Sequence, residues 1–141
     1  MNLPHSERLS NYGPLVLRLG LAFVFLWFGF SQLFQPESFY GYLPPMMMHL
    51  SSSLPHPLII LNGLAEIILG LLLLTGKWTR VAASLLAAHL FFIILSLGYN
   101  EIAVRDFGLM IGTIAIALNG ADRWCLDQRQ TKGQGNLTKN T

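Results

Sequence analysis

The stretch Leu58 to Leu97, LIILNGLAEIILGLLLLTGKWTRVAASLLAAHLFFIILSL, decides the fold. It holds two apolar runs, Leu58 to Thr75 and Trp78 to Leu97, joined by a short turn around Gly76 to Thr79. Each run is about 18 to 20 residues long, which at 1.5 Å per helical residue spans a hydrocarbon core about 30 Å thick. Two such runs back to back predict a helical hairpin. The ionisable side chains within it are Glu66, Lys77, Arg80 and His89. Lys77 and Arg80 belong to the turn. Glu66 and His89 stand nearly equidistant from it, and so near the midplane of any bilayer the hairpin crosses.

Working outward, two more apolar runs flank the hairpin, Leu15 to Phe34 and Ile102 to Asn119. The chain has 141 residues, of which 52% are hydrophobic and only 11% charged. That charged share is less than half of what soluble domains carry. A buried helix of a soluble protein can be apolar all round, but four such segments in so short a chain leave almost nothing to cover them. The expected fold is therefore all-α, an integral membrane four-helix bundle over 15–120 with helices 15–34, 58–75, 78–97 and 102–119. A short segment, 1–14, precedes it, a loop of 35–57 separates the first two helices, and a tail, 121–141, follows. Helix punctuation agrees: Pro14 and Pro57 suit opening turns, Gly76 and Gly120 suit helix ends, and Asn100 can cap the fourth helix. The first run is too long for a signal peptide and has no small-residue cleavage site after Phe34.

Cation placement sets the expected orientation. With the N-terminus inside, Arg8, Arg18, Lys77, Arg80, Arg123, Arg129, Lys132 and Lys139 fall on or near the cytoplasmic side and only Arg105 on the other, so both termini are expected to be cytoplasmic. The tail from Ala121, rich in Gln, Asn, Lys, Thr and Gly, has too little apolar surface to fold alone and is expected to be flexible. Its Asn136-Leu137-Thr138 sequon would then lie out of reach of glycosylation.

Several function classes are excluded. The net charge is +2 and no Lys/Arg run is interleaved with aromatics, so nucleic acid is not an expected partner. The single cysteine, Cys125, offers neither an intramolecular disulfide nor a Cys-x-x-Cys pair, so a redox role would need electrons from a partner or a bound cofactor. Met46, Met47, Met48, His49 and His56 in the outer loop are soft donors of the kind copper(I) takes. Consecutive residues on a helix point all around its axis, however, so no metal site is predicted and the loop is read as packing on the bundle or dipping into the headgroups.

An ionisable side chain within lipid costs roughly 3 kcal/mol on insertion scales, so each asks for a reason. Glu66 shares a helical stripe with Asn62, Gly63 and Gly70, a small and polar face that should pack inward. His89 shares one with Ala82, Leu85, Phe92 and Ser96. Glu66, His89, Asn62 and Ser96 thus form the candidate intramembrane polar site. Spacing alone leaves open whether the stripes meet. If they do, Glu66 and His89 either exchange a proton with a ligand or simply satisfy each other and fix helix register.

A second cluster gathers at the outer helix ends, with Gln32, Glu101, Arg105 and Asp106 as its candidates beside Ser31, Tyr99 and Asn100. Adjacent helical residues diverge by about 100°, so Arg105 and Asp106 are expected to pair with different neighbours, Glu101 being the local partner of Arg105. Arg105 either snorkels to the outer headgroups or faces inward. Arg18, about one turn inside the first helix, is expected to snorkel to cytoplasmic phosphates. The Gly108-x-x-x-Gly112 step suits close helix contact, within the bundle or between copies in a homo-oligomer.

The chain resembles the DoxX family of small four-helix membrane proteins. The residues that carry the resemblance are Leu17-Arg18-Leu19-Gly20 with Phe28-Gly29-Phe30-Ser31-Gln32-Leu33-Phe34, then Glu66 with Gly70 and Thr75-Gly76-Lys77-Trp78-Thr79-Arg80, then Gly98-Tyr99-Asn100-Glu101 with Val104-Arg105-Asp106-Phe107-Gly108. It extends over about Leu15 to Asp127. The resemblance implies a prokaryotic cytoplasmic membrane and a family that includes subunits of quinone-linked oxidoreductases and partners of oxidative-stress enzymes. Members often carry lysine where this chain has Gln32.

Three readings follow. The first is an accessory subunit of a membrane redox system without catalysis of its own, holding a quinone near Glu66 and His89 and joined to a membrane or peripheral oxidoreductase. The second is a membrane scaffold that docks another protein. The third is a small transporter or proton pathway, against which stands the lack of an inverted repeat or paired broken helices.

Overall fold

The computed structural model describes residues 12–43, 55–122 and 124–126. Every element among them is helical. In chain order these are α1 (Gly13–Phe34), a 3-10 helix (Pro36–Tyr42), α2 (Pro55–Thr75), α3 (Thr79–Leu97) and α4 (Glu101–Asn119). Arg8, Met46 to His49, Arg123, Arg129, Lys132, Asn136 and Lys139, which enter the orientation, metal and tail readings above, lie outside the described residues.

Local chemistry sets the boundaries. Pro14 occupies the opening turn of α1. Pro55 and Pro57 both fall in the first turn of α2, where their missing N–H groups have no helical acceptor to serve, so this helix starts three residues earlier than expected. It ends in a Schellman motif: the Lys77 N–H donates to Leu72 O at 3.1 Å and the Gly76 N–H to Leu73 O at 3.3 Å, with Gly76 in the left-handed region at φ 69°. Trp78 also adopts positive φ, 52°, so α3 begins at Thr79 and not at Trp78. Asn100 caps α4 as expected, its Oδ1 accepting the Ala103 N–H at 2.8 Å.

The four α-helices touch in a ring, α1 on α2, α2 on α3, α3 on α4 and α4 back on α1. The α1–α2 and α3–α4 contacts are the extensive ones. The centre is filled by Leu21, Ala22, Phe25, Leu73, Ala83, Leu86, Leu90, Met110 and Ile116. Outside, the pattern is the reverse of a soluble protein's: Phe23 and Trp27 of α1, Leu61 and Ile68 of α2, Phe92 and Leu95 of α3, and Val104 and Ile111 of α4 are all exposed. Such a surface suits lipid tails, where helix association rests on close packing of small residues and on interhelical hydrogen bonds. Helices α1, α2 and α3 are each long and apolar enough to cross a membrane. Helix α4 has 19 residues and carries Glu101, Arg105 and Asp106 in its first two turns.

Candidate functional site

The site begins at a crossing of two glycines. A Cβ added at Gly29 would stand 2.8 Å from Gly63 O, and one added at Gly63 would stand 2.8 Å from Gly29 O. Only hydrogen at both positions lets α1 and α2 meet backbone to backbone. One turn on from Gly29 lies Gln32, and on either side of Gly63 lie Asn62 and Glu66. The crossing therefore presses three polar side chains together in an apolar interior.

They answer one another. Gln32 Nε2 donates to Glu66 Oε2 at 3.1 Å, and Asn62 Nδ2 donates to Gln32 Oε1 at 2.8 Å and to Glu66 Oε1 at 3.1 Å. Because a carboxylate only accepts, it fixes which way both amides point. From α3, His89 Nε2 comes within 3.3 Å of Glu66 Oε1, so that nitrogen carries the hydrogen in this contact. Glu66 is 5% exposed and three donors converge on it. The His89 side chain is 25% exposed and lies at the margin between the buried and outward faces of α3. The Glu66 and His89 stripes do meet.

Asp106 of α4 is 4% exposed. Its Oδ1 accepts from Arg105 Nε and lies 2.8 Å from Arg105 Nη2. The expectation that these neighbours diverge fails because the long arginine side chain folds back along the helix to its own neighbour. Glu101 is left exposed in the first turn of α4, where its charge suits the positive end of the helix dipole. The Arg105 guanidinium sits 4.7 Å from the centre of the Phe28 ring. Phe28 in turn meets Phe39 edge-on, and Phe39 meets Tyr42, so the 3-10 helix lays an aromatic roof over this end of the molecule.

Under that roof is a cavity of about 270 Å³, walled by all four α-helices and the 3-10 helix. Its sides are apolar, with Phe25, Phe28, Phe39, Leu90, Ile93 and Leu97 among them, and its polar wall is Gln32, Asn62, Glu66, Arg105 and Asp106. The two clusters expected at different depths are thus two walls of one space. Gln32, expected in the outer cluster, belongs to the Glu66 network. Ser96, expected beside His89, is exposed on α3 and takes no part. His89 stands behind Glu66 and off the cavity wall. Sequence reasoning missed Phe39 and Tyr42; the signal was the aromatic run Ser38-Phe39-Tyr40-Gly41-Tyr42 shortly after Pro36, which has the density of a packed element.

The opposite end of the molecule corrects the reading of Arg18. It does not snorkel: it is 3% exposed. Nη1 donates to the carbonyls of Leu73 at 2.7 Å and Leu74 at 2.8 Å in the last turn of α2, the Leu73 oxygen taking this bond beside that of the Gly76 N–H, and Nε donates to Asp122 Oδ2 at 2.7 Å. These acceptors outcompete headgroup phosphates because they are already in place. Of the tail expected to be flexible from Ala121, Asp122 and Cys125 are held against the bundle: Cys125 is fully buried, near enough to Gly76 that a Cβ there would come within 2.7 Å of its Sγ. Burial pushes the Asp122 carboxyl up, but the Arg18 guanidinium and the Trp124 N–H outweigh it and hold it below its usual range. Burial pushes the Cys125 thiol up. Of the Gly108-x-x-x-Gly112 step, Gly112 faces Leu21 inside the ring while Gly108 meets nothing within 4 Å.

A family model described as DoxX matches residues 13–98, from the start of α1 to just past α3. No curated protein and no solved structure matches the chain.

Proposed function

Since this chain belongs to the DoxX family, and is a membrane protein with apolar helices of spanning length, we propose that it is an accessory subunit of a quinone-linked redox system in a prokaryotic cytoplasmic membrane. All four helices cross the bilayer as a bundle, with both termini inside. Lys77 and Arg80 at the α2–α3 turn, against Arg105 alone among the described cations at the other end, support that orientation.

The observation that carries the reading is the cavity. Its volume of about 270 Å³ compares with about 150 Å³ for an engineered cavity that takes up benzene, so a substituted ring and the start of a chain fit. Apolar walls with a few convergent polar groups are what a lipid-soluble ring with a polar head requires. Asp106 Oδ2, which has no hydrogen-bond partner among the described residues, is an acceptor such a head can meet. A quinone, when bound, supplies the electron-carrying chemistry. The chain supplies the pocket, excludes water, and can hold or pass a proton at Glu66 Oε1, where His89 meets it from the outward side. Electrons come from the partner oxidoreductase.

Native mass spectrometry of protein extracted with its own lipids tests this. A stoichiometric lipid-soluble quinone retained by the wild type and lost in Glu66→Ala is the expected result. A wild-type protein that carries no such ligand under mild extraction overturns the proposal in favour of a membrane scaffold.

A further inference from the structure

The polar wall of the cavity is not neutral in its hydrogen-bonding sense. Both Asn62 amide hydrogens are spent, one on Gln32 Oε1 and one on Glu66 Oε1, which leaves its Oδ1 as the free atom. Gln32 spends one of its two hydrogens on Glu66 Oε2. Asp106 receives both arginine contacts on Oδ1, so Oδ2 stays open as an acceptor on a side chain only 4% exposed. The donors left over are one Gln32 N–H, the Tyr42 hydroxyl in the aromatic roof and the part of the Arg105 guanidinium not turned to Asp106. That guanidinium lies against Phe28, on a side chain 45% exposed, and so at the edge of the site. Two carboxylates, Glu66 and Asp106, and one guanidinium, Arg105, stand on the cavity wall.

A carbonyl oxygen set against Asp106 Oδ2 or Asn62 Oδ1 places lone pairs against lone pairs, whereas a hydroxyl there donates, to Asp106 as a charge-assisted O–H···O⁻ bond. We infer that the cavity selects its ligand in a hydrogen-bond-donating form, a hydroquinone or long-chain phenol, over the matching carbonyl form. Asp106 Oδ2 receives the hydroxyl, Asn62 Oδ1 is the second acceptor, and the Phe28–Phe39 side packs the ring. This rests on the cavity being a quinone-class site, and it adds which redox form the protein holds.

The experiment is equilibrium binding to the full chain in lipid nanodiscs under anaerobic conditions, with decyl-hydroquinone, its benzoquinone and its dimethyl ether as probes. The hydroquinone should bind on the order of tenfold tighter than either of the others, the size of one charge-assisted hydrogen bond. In Asp106→Asn, where an amide N–H can replace the acceptor, the advantage over the benzoquinone should fall to about threefold or less. Because the wild-type comparison needs no variant, the inference is tested even if Asp106→Asn does not fold. Benzoquinone or dimethyl ether binding as tightly as the hydroquinone overturns the inference and leaves the quinone-site reading standing. Failure of all three probes to bind overturns both.

Discussion

Gly63→Ala is the sharpest test of how the site is built. The new Cβ would stand 2.8 Å from Gly29 O and 2.8 Å from Leu33 Cδ1. The leucine end can rotate away, but the carbonyl is backbone and cannot, so α1 and α2 must part by about 0.6 Å to reach an ordinary 3.4 Å contact. The Gln32–Glu66 bond, at 3.1 Å, then stretches beyond hydrogen-bonding range, and Asn62 can no longer serve both partners. Overpacking of this kind costs about 1 to 3 kcal/mol, and two lost interhelical hydrogen bonds add roughly 0.6 kcal/mol each. The expected loss is about 2 to 4 kcal/mol. Reversible unfolding in mixed micelles, followed by circular dichroism, measures it. Gly20→Ala is the control, since a Cβ there meets nothing within 4 Å, and it should leave stability unchanged or raise it by up to about 1 kcal/mol through helix propensity. If Gly63→Ala is as stable as Gly20→Ala, the backbone crossing does not set the geometry of the Glu66 network.

Other expectations follow from the opposite end. Asp122 is held below its ordinary value of 3.8 by Arg18, so its contribution to stability is fully present above the unfolded value and is lost as pH falls through the lower, folded one. The stability difference between wild type and Asp122→Asn should be flat near neutrality and vanish in strong acid; a difference that grows on acidification would contradict it. Arg18→Gln leaves Asp122 and two helix-end carbonyls without their cation and should cost about 3 to 5 kcal/mol, read as a lowered midpoint in the same unfolding assay. Cys125, buried and with its thiol pushed up, should resist maleimide at neutral pH in the folded protein and react promptly once unfolded, as mass spectrometry of the labelled chain would show. Asn100→Ala should lose about 1 kcal/mol through the α4 cap, with Asn100→Ser largely restoring it.

Helix existence, and nearly all helix ends, could be read from the residues, because both are local matters. A run of Leu, Ile and Ala has no strand alternation to compete with a helix, and Pro14, Gly76, Asn100 and Gly120 act through their own backbone geometry or side chain. The errors at the ends are local as well: Trp78 adopts a left-handed conformation that nothing in its side chain demands, and Pro55 opens α2 a turn early. The presence of Glu66 and His89 in apolar runs already marked them as residues with a reason to be there. The cost of an unpartnered charge in lipid is paid wherever the charge sits.

What the residues alone did not decide is who answers whom. Gln32 leaves the outer cluster for Glu66 because Gly29 and Gly63 let two backbones touch, and that contact joins positions 34 apart in the chain. Arg105 chooses Asp106 over Glu101, and Arg18 finds Asp122 104 positions away. Each depends on helix rotation and on which acceptors a long side chain meets first. The sequence by itself determined that the chain is helical, apolar on its outer faces and polar at a few interior points. Only the tertiary structure decided that those points surround a single cavity, because side-chain hydrogen bonds act over about 3 Å, and no helical period carries distances of that size between segments far apart in the chain.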